Sequence, residues 1–429
     1  MARAGVLPGV RPRMLREATE RAQLRCGLRF LPARQHKNLN IFTKNGTGMR
    51  YICITALALL ALPSGARAEV AGQVAISSES FDAAGARRFE FREVAGRQAL
   101  CLDGLALLRG VSMREGAVVV DVAVTDDRQF GGIAFRARGV SDYEEAYLRL
   151  HKSRQPDAVQ YAPVMGGEGN WQLFGAQQMA ADLGRSGWAT LRVDFAADRA
   201  VISVTGAGDT ELVIEDLVLD DTGSKVGLSG IGGACFSNLR IADQAVFGRE
   251  RIRPATPAET GTISEWALSP ASLFSGFPPE PPSPAERWTL ARTERDGLLL
   301  ISRYRAKAVD TQTEKKPEHL VYASASLHSE RNQRALLEFD ASDRVRIYLN
   351  GEPLAEFDNT FRAKGPTFRG DFRSDRQRVF LPLKEGHNNL VLAVADTDHG
   401  WGLKGRIVSD DPVEVRPLQP TVPVEQEDS

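Results

Sequence analysis

From residue 69 onward the chain is a succession of short apolar runs, none of which carries a helical period. "GAVVVDVAV" (Gly116–Val124), "GGIAFRAR" (Gly131–Arg138), "AYLRLH" (Ala146–His151), "ATLRVDF" (Ala189–Phe195) and "AVISVTG" (Ala200–Gly206) are short, rich in β-branched and apolar residues, and punctuated by Gly, Asp and Asn. Runs of this length between turn residues form strands. No stretch after residue 69 has the length, caps and apolar stripe of an amphipathic helix. Such strands bury their apolar faces by stacking sheets, so the pattern predicts an all-β fold of two β-sandwich (jelly-roll) domains.

The alternation lapses at "FGRERIRPATPAETGT", which is polar and Pro-bearing. We read residues 246–262 as a linker between a first sandwich at 69–245 and a second at 263–410. Strand patterns resume with "LLLISRYRA" (Leu298–Ala306), "ALLEFD" (Ala335–Asp340), "RVRIYLNG" (Arg344–Gly351), "RVFLPL" (Arg378–Leu383) and "NLVLAVAD" (Asn389–Asp396). Residues 411–429, Pro- and Glu-bearing, read as a disordered tail.

Ahead of the strands, "MRYICITALALLALPSGARAEV" carries a basic residue, a short apolar run from Tyr51 to Leu62, and Ala66-Arg67-Ala68 before Glu69. That is the order of a cleavable signal peptide over 49–68. The apolar run is too short to span a bilayer, which takes about 20 residues. Residues 1–48, with ten Lys/Arg against Glu17 and Glu20, read as an over-extended start; a basic nucleic-acid arm or a transit peptide is the alternative. The expectation is a secreted or periplasmic protein beginning at Glu69, with no membrane span.

Charge follows from that boundary. The whole chain holds 54 Lys/Arg and 55 Asp/Glu, and residues 1–68 account for 12 and 2 of them, which leaves 42 against 53, a net of −11. Bulk charge therefore argues against nucleic acid as a partner, while leaving room for a local basic cleft. Of four cysteines only Cys101 and Cys235 follow residue 69. One disulfide and two buried thiols are both open readings.

The first domain places "FGGIAFRARG" after a Gly-started strand, and later "GWATLRVDF", "ISVTG", "KVGLSG" and a closing "CFSNLRI". That order resembles the concanavalin A-like lectin/glucanase (laminin-G-like) sandwich over roughly 78–243. The second, with "DRVRIYLNGEPL" turning at Asn350-Gly351 and "VFLPLKEGHNNLVLAV", resembles the galactose-binding-like jelly roll over roughly 263–408. The first resemblance implies a concave sheet face that holds a glycan; the second implies a partner of catalytic or carbohydrate-handling modules.

The densest polar segment is "DYEEAYLRLHKSRQPDAVQY", Asp142 to Tyr161. In a strand, alternate side chains share a face, so Tyr143, Glu145, Tyr147, Arg149 and His151 point one way, while Ala146, Leu148 and Leu150 point into a core. Aromatic rings stack on sugar C–H faces, and charged groups bind hydroxyls or uronate carboxylates. Asp157, Gln160, Tyr161, Asn170 and Trp171 extend the candidate ligand surface. The competing reading is a solvated face with cross-strand charge pairs.

Three function classes follow: a binding protein for a polysaccharide or other glycan, a carbohydrate-active enzyme, and an adhesion module docking protein partners. As a lyase, the protein would use Arg149 and Gln160 at a uronate carboxylate, with His151 and Tyr161 moving protons. The alginate-lyase motifs, an Arg–x–Glu–x–Arg strand and a Gln–x–His strand, do not occur. A hydrolase needs two carboxylates about the scissile bond. "EFDASD" (Glu338, Asp340, Asp343) departs from the Glu–x–Asp–x–x–Glu pattern and reads as a turn, which leaves Glu144, Glu145 and Asp157. No metal-ligand spacing or nucleotide motif appears, so no metal and no cofactor is expected. "GLSGIGG" (Gly227–Gly233) reads as a bend. Loop residues Asp358, Asn359, Phe361, Arg362, Lys364, Phe368 and Arg369, with Asp398, His399 and Trp401, read as loop packing, as sugar contacts or as interdomain docking.

Overall fold

The computed structural model describes residues 72–417 except 209, 221, 246–257, 283–287, 308–316, 373–376 and 398. The signal-peptide segment, the basic segment before it, most of the linker, Asp398 and residues 418–429 lie outside the described residues. Those described belong to one compact unit. They are almost wholly β, with short 3₁₀ turns such as Leu150–Lys152 and Ile301–Arg303.

The N-terminal part is a 12-stranded sheet doubled over on itself. The fold-over is made by the long strand Lys225–Ala242, whose first half pairs with Phe130–Ala137 and whose second half pairs with Gly116–Ala123. Between the halves the register against Arg97–Leu108 shifts from Gly230 to Ala234. Gly232 and Gly233 there take φ of 75° and 80°, a left-handed backbone that glycine enters without steric cost. The "GLSGIGG" bend therefore lies inside one strand and carries it from layer to layer. Leu100, Val118, Phe135, Leu148, Leu191, Phe195 and Phe236 fill the space between the layers. Cys101 and Cys235 face each other across the Arg97–Leu108 and Lys225–Ala242 pair and are joined as a disulfide.

The C-terminal part packs an eight-stranded sheet on a four-stranded one around Trp266, Val321, Phe339, Ile347, Leu392 and Trp401. Strands Arg344–Leu349 and Glu352–Asp358 meet at Asn350 and Gly351, with φ of 52° and 90°, the two left-handed residues of a type I′ hairpin turn. Two expectations fail here. "LLLISRYRA" is strand only at Leu299–Leu300 and then coils into the Ile301–Arg303 turn, where the Ile301 and Ser302 N–H groups both donate to the Trp401 carbonyl. Within the tail read as disordered, Val413–Pro417 is a strand on His319–Ser329. Its Val413 and Val415 pack on the second core, an alternation that the surrounding prolines and acids disguise.

The two sandwiches share a bonded seam. Leu298, Leu300 and Phe372 from the C-terminal part complete the first core. Gln172 accepts at its backbone carbonyl from Phe372 N–H (2.8 Å), donates from Nε2 to the Arg369 carbonyl (2.8 Å), and accepts at Oε1 from Ser342 (3.0 Å). Deeper in the seam Lys307 is an ion-pair partner of Glu168 at 2.6 Å and of Asp396, with all three side chains at least 96% buried.

Candidate functional site

A cleft of about 860 Å³ opens along this seam. One wall is the outer face of the layer made by Phe130–Ala137, Glu144–Arg149 and Val159–Tyr161. The opposite wall is the 361–369 loop of the second sandwich together with His399.

The strand Glu144–Arg149 supplies the first wall by alternation, as predicted. Glu145, Tyr147 and Arg149 face the cleft, while Ala146 and Leu148 enter the core. Tyr147 stands opposite Gly132, where a Cβ would come within 2.7 Å of the Tyr147 Cβ and the Ser229 hydroxyl, so glycine clears the space for its phenol. His151 lies past the strand, in the 3₁₀ turn, yet still reaches the cleft with its ring 5.4 Å from Phe130.

Side chains behind the wall hold it rigid. Arg149 donates to the Tyr147 hydroxyl (3.1 Å), to the Asp157 carbonyl (3.2 Å) and carboxylate (3.3 Å), and to Gln160 Oε1. Tyr147 also donates to Gln160 Oε1 (2.9 Å), and Gln160 Nε2 is spent on the carbonyls of Trp171 (2.8 Å) and Phe174 (3.2 Å). Asp157 is the bridge between the walls, since its carboxylate also pairs with Arg369 of the loop, which in turn holds Asp371 at 2.8 Å.

Trp171 is the aromatic hub. Its ring centroid lies 5.8 Å from that of Phe361 and 5.1 Å from that of His399, and the guanidinium carbons of Arg149 and Arg369 lie 5.6 Å and 5.1 Å from it. The loop reaches this position because Gly370, at φ of 72°, passes so close to Asn359 that a Cβ would sit 2.2 Å from its carbonyl oxygen.

Burial sets the electrostatics. It pushes the Glu145 carboxyl up to about 7. It also pushes the Tyr147 phenol up and the His151 imidazole down. At neutral pH the cleft therefore holds a largely neutral imidazole, a phenol unfit to be a base, and a carboxyl near half-protonation.

Six of the ten ligand candidates thus come together: Glu145, Tyr147, Arg149, His151, Asp157 and Trp171. Four do not. Asn170 is fully buried, its amide donating to the Pro163 and Glu168 carbonyls (3.1 Å each). Gln160 is fully buried behind the wall, holding Tyr147 and Arg149. Tyr161 faces the core instead, because register pairs it with Ala146 and pairs Gln160 with Tyr147, and neighbours in a strand cannot share a face. Its hydroxyl donates to Glu144 at 2.7 Å, a fully buried core carboxyl that burial pushes up to about 7. Tyr143 is half-buried further along the face, against Leu105, Leu107, Ala134 and Ala137. The proton-transfer quartet His151, Tyr161, Arg149 and Gln160 is therefore divided between cleft, core and wall. Of the "EFDASD" carboxylates, Glu338 is taken up by Arg378 at 3.0 Å, away from the cleft. Trp401 is a core residue. The sequence reading did not select Phe130, Arg128, Lys152 and Ile231; only Phe130, at the head of the "GGIAFRAR" strand, carried a usable signal.

No family model and no curated protein matches the sequence. Among solved structures, the chain is similar to a carbohydrate-binding module from Bacillus subtilis at 13% identity, over 38% of this chain and 95% of that one, with a TM-score of 0.29. Chicken galectin 2 is 13% identical over 30% of this chain and 92% of its own, with a TM-score of 0.24. A non-specific endo-β-1,3(4)-glucanase is 13% identical over 36% and 74%, with a TM-score of 0.20. At these scores the likenesses carry no argument about this chain, whose fold rests on its own sheets.

Proposed function

We propose that the cleft binds a glycan chain, and that the protein is an exported carbohydrate-binding protein. One observation carries this reading: aromatic rings from both sandwiches, Phe130, Tyr147 and Trp171 on one side and Phe361 on the other, line a single groove beside hydrogen-bonding groups already locked in place. Rings offer faces to sugar C–H groups, and locked polar groups lose little entropy when hydroxyls replace water. The sequence resemblance to lectin-type sandwiches points the same way.

A second reading is a glycoside hydrolase. It is favoured by Glu145, a carboxyl raised to about 7 and facing the cleft, with Asp157 as the other carboxylate. The division of Tyr161 and Gln160 from the cleft weighs against the lyase.

The test is a polysaccharide panel, scored for retention of the protein and for the mass of anything released. Retention without release is expected. Release of oligosaccharides bearing an added water would replace binding with hydrolysis, and no retention or release on any polymer would contradict both.

A further inference from the structure

The cleft is basic in a chain that is not. Five of its lining residues are cationic (Arg128, Arg149, Lys152, Arg362 and Arg369) against Glu145 and Asp157, whereas the whole chain holds 54 Lys/Arg and 55 Asp/Glu. These cations fall into two groups. Arg149 and Arg369 share Asp157, and Arg369 also holds Asp371, so both are committed to the wall. Arg128 and Arg362 are exposed at the rim, one from each sandwich, and no ion pair with either is found among the described residues. Arg362 is held over Phe361, its guanidinium carbon 4.9 Å from the ring centroid. Lys152 stands between the groups, 3.9 Å from Asp157 with 39% of its side chain exposed.

We propose that the cleft selects acidic glycans, with uronate carboxylates received by Arg128 and Arg362 at the rim while the sugar rings lie on the aromatic wall. This rests on the glycan reading above and names its ligand class. A guanidinium presents a planar fork of donors that matches a carboxylate in two parallel hydrogen bonds. Glu145 opposes an anion only weakly, because burial keeps its carboxyl near half-protonation at neutral pH. Nucleic acid fits less well: with 54 Lys/Arg against 55 Asp/Glu, the chain supplies no extended basic field beyond the groove.

The experiment compares polygalacturonate, polymannuronate and polyglucuronate with the same three polymers after carboxyl reduction, which leaves each backbone neutral. Binding is titrated at about 50 and about 300 mM salt. At least one uronate polymer is expected to bind about tenfold or more tighter than its reduced form. The preference should shrink at the higher salt and narrow in an Arg128→Gln/Arg362→Gln variant. Equal or tighter binding of a reduced polymer overturns the acidic preference while leaving glycan binding standing. Binding of none of the six overturns the acidic preference too, and if the wider panel of neutral polymers is also unbound, the glycan reading falls with it.

Discussion

Lys307→Met is expected to destabilise the protein by about 3–5 kcal/mol, the usual cost of stripping one partner from a buried ion pair. Lys307 is the cation of a seam cluster in which Glu168 and Asp396 are its ion-pair partners and Asp343 is hydrogen-bonded to Asp396. Burial alone would push the ammonium down, but Asp396 and Glu168 outweigh it and hold the charge on. Burial pushes the Asp396 carboxyl well up and raises that of Asp343. Methionine fills the same volume and leaves these carboxyls facing each other without a cation. A thermal melt should show a fall of roughly 5–15 °C. Lys307→Met/Asp396→Asn should recover part of it, because the most buried carboxylate goes with the cation. An unchanged melt would mean that the cluster does not hold the seam.

The second large effect is expected from the disulfide. Joining Cys101 to Cys235 closes a loop 134 residues long, and the chain-entropy model gives about 5 kcal/mol for a closure of that size. Strain and residual structure in the unfolded chain trim such figures, so Cys101→Ala/Cys235→Ala should cost about 2–5 kcal/mol. Reductant should lower the melting temperature of the wild type and leave the double variant where it is. A wild type indifferent to a strong reductant, with free thiols confirmed, would contradict the assignment.

How much of this was legible in the sequence can be judged residue by residue. Period-two alternation placed Glu145, Tyr147 and Arg149 on one face because strand geometry allows no other outcome for i, i+2 and i+4. The same rule forbids Gln160 and Tyr161 from sharing a face, so selecting both was an error the sequence itself could have caught. Which of the two faced outward needed the register with Tyr147, and register depends on partners that spacing does not reveal. His151 stayed in the cleft although its strand ended two residues earlier, since a 3₁₀ turn redirects the chain without removing it from the wall.

The opposite wall was the least readable part. Arg369 meets Asp157 across 212 residues, and Phe361 meets Trp171 across the seam between two cores. The loop's composition suggested a surface role, but nothing in it says where the second sandwich presents that loop. The Cys pair is similar: two residues facing each other on adjacent strands decide a question that counting cysteines left open. The Val413–Pro417 strand shows the reverse failure, where composition suggested disorder and two valines on alternate positions found a core.

The central claim is that a glycan lies between the two sandwiches, and a titration tests it directly. The best polymer of the panel, cut to a short oligosaccharide, would be titrated calorimetrically into wild type, Trp171→Ala, Phe361→Ala and Phe380→Ala. Trp171 and Phe361 line opposite walls of the cleft, whereas Phe380 is an exposed aromatic that does not line it. Loss of about tenfold or more in affinity is expected for each of the first two, from opposite sides of the seam, with Phe380→Ala unchanged. Affinity preserved in folded Trp171→Ala and Phe361→Ala variants would place the ligand elsewhere and contradict the account.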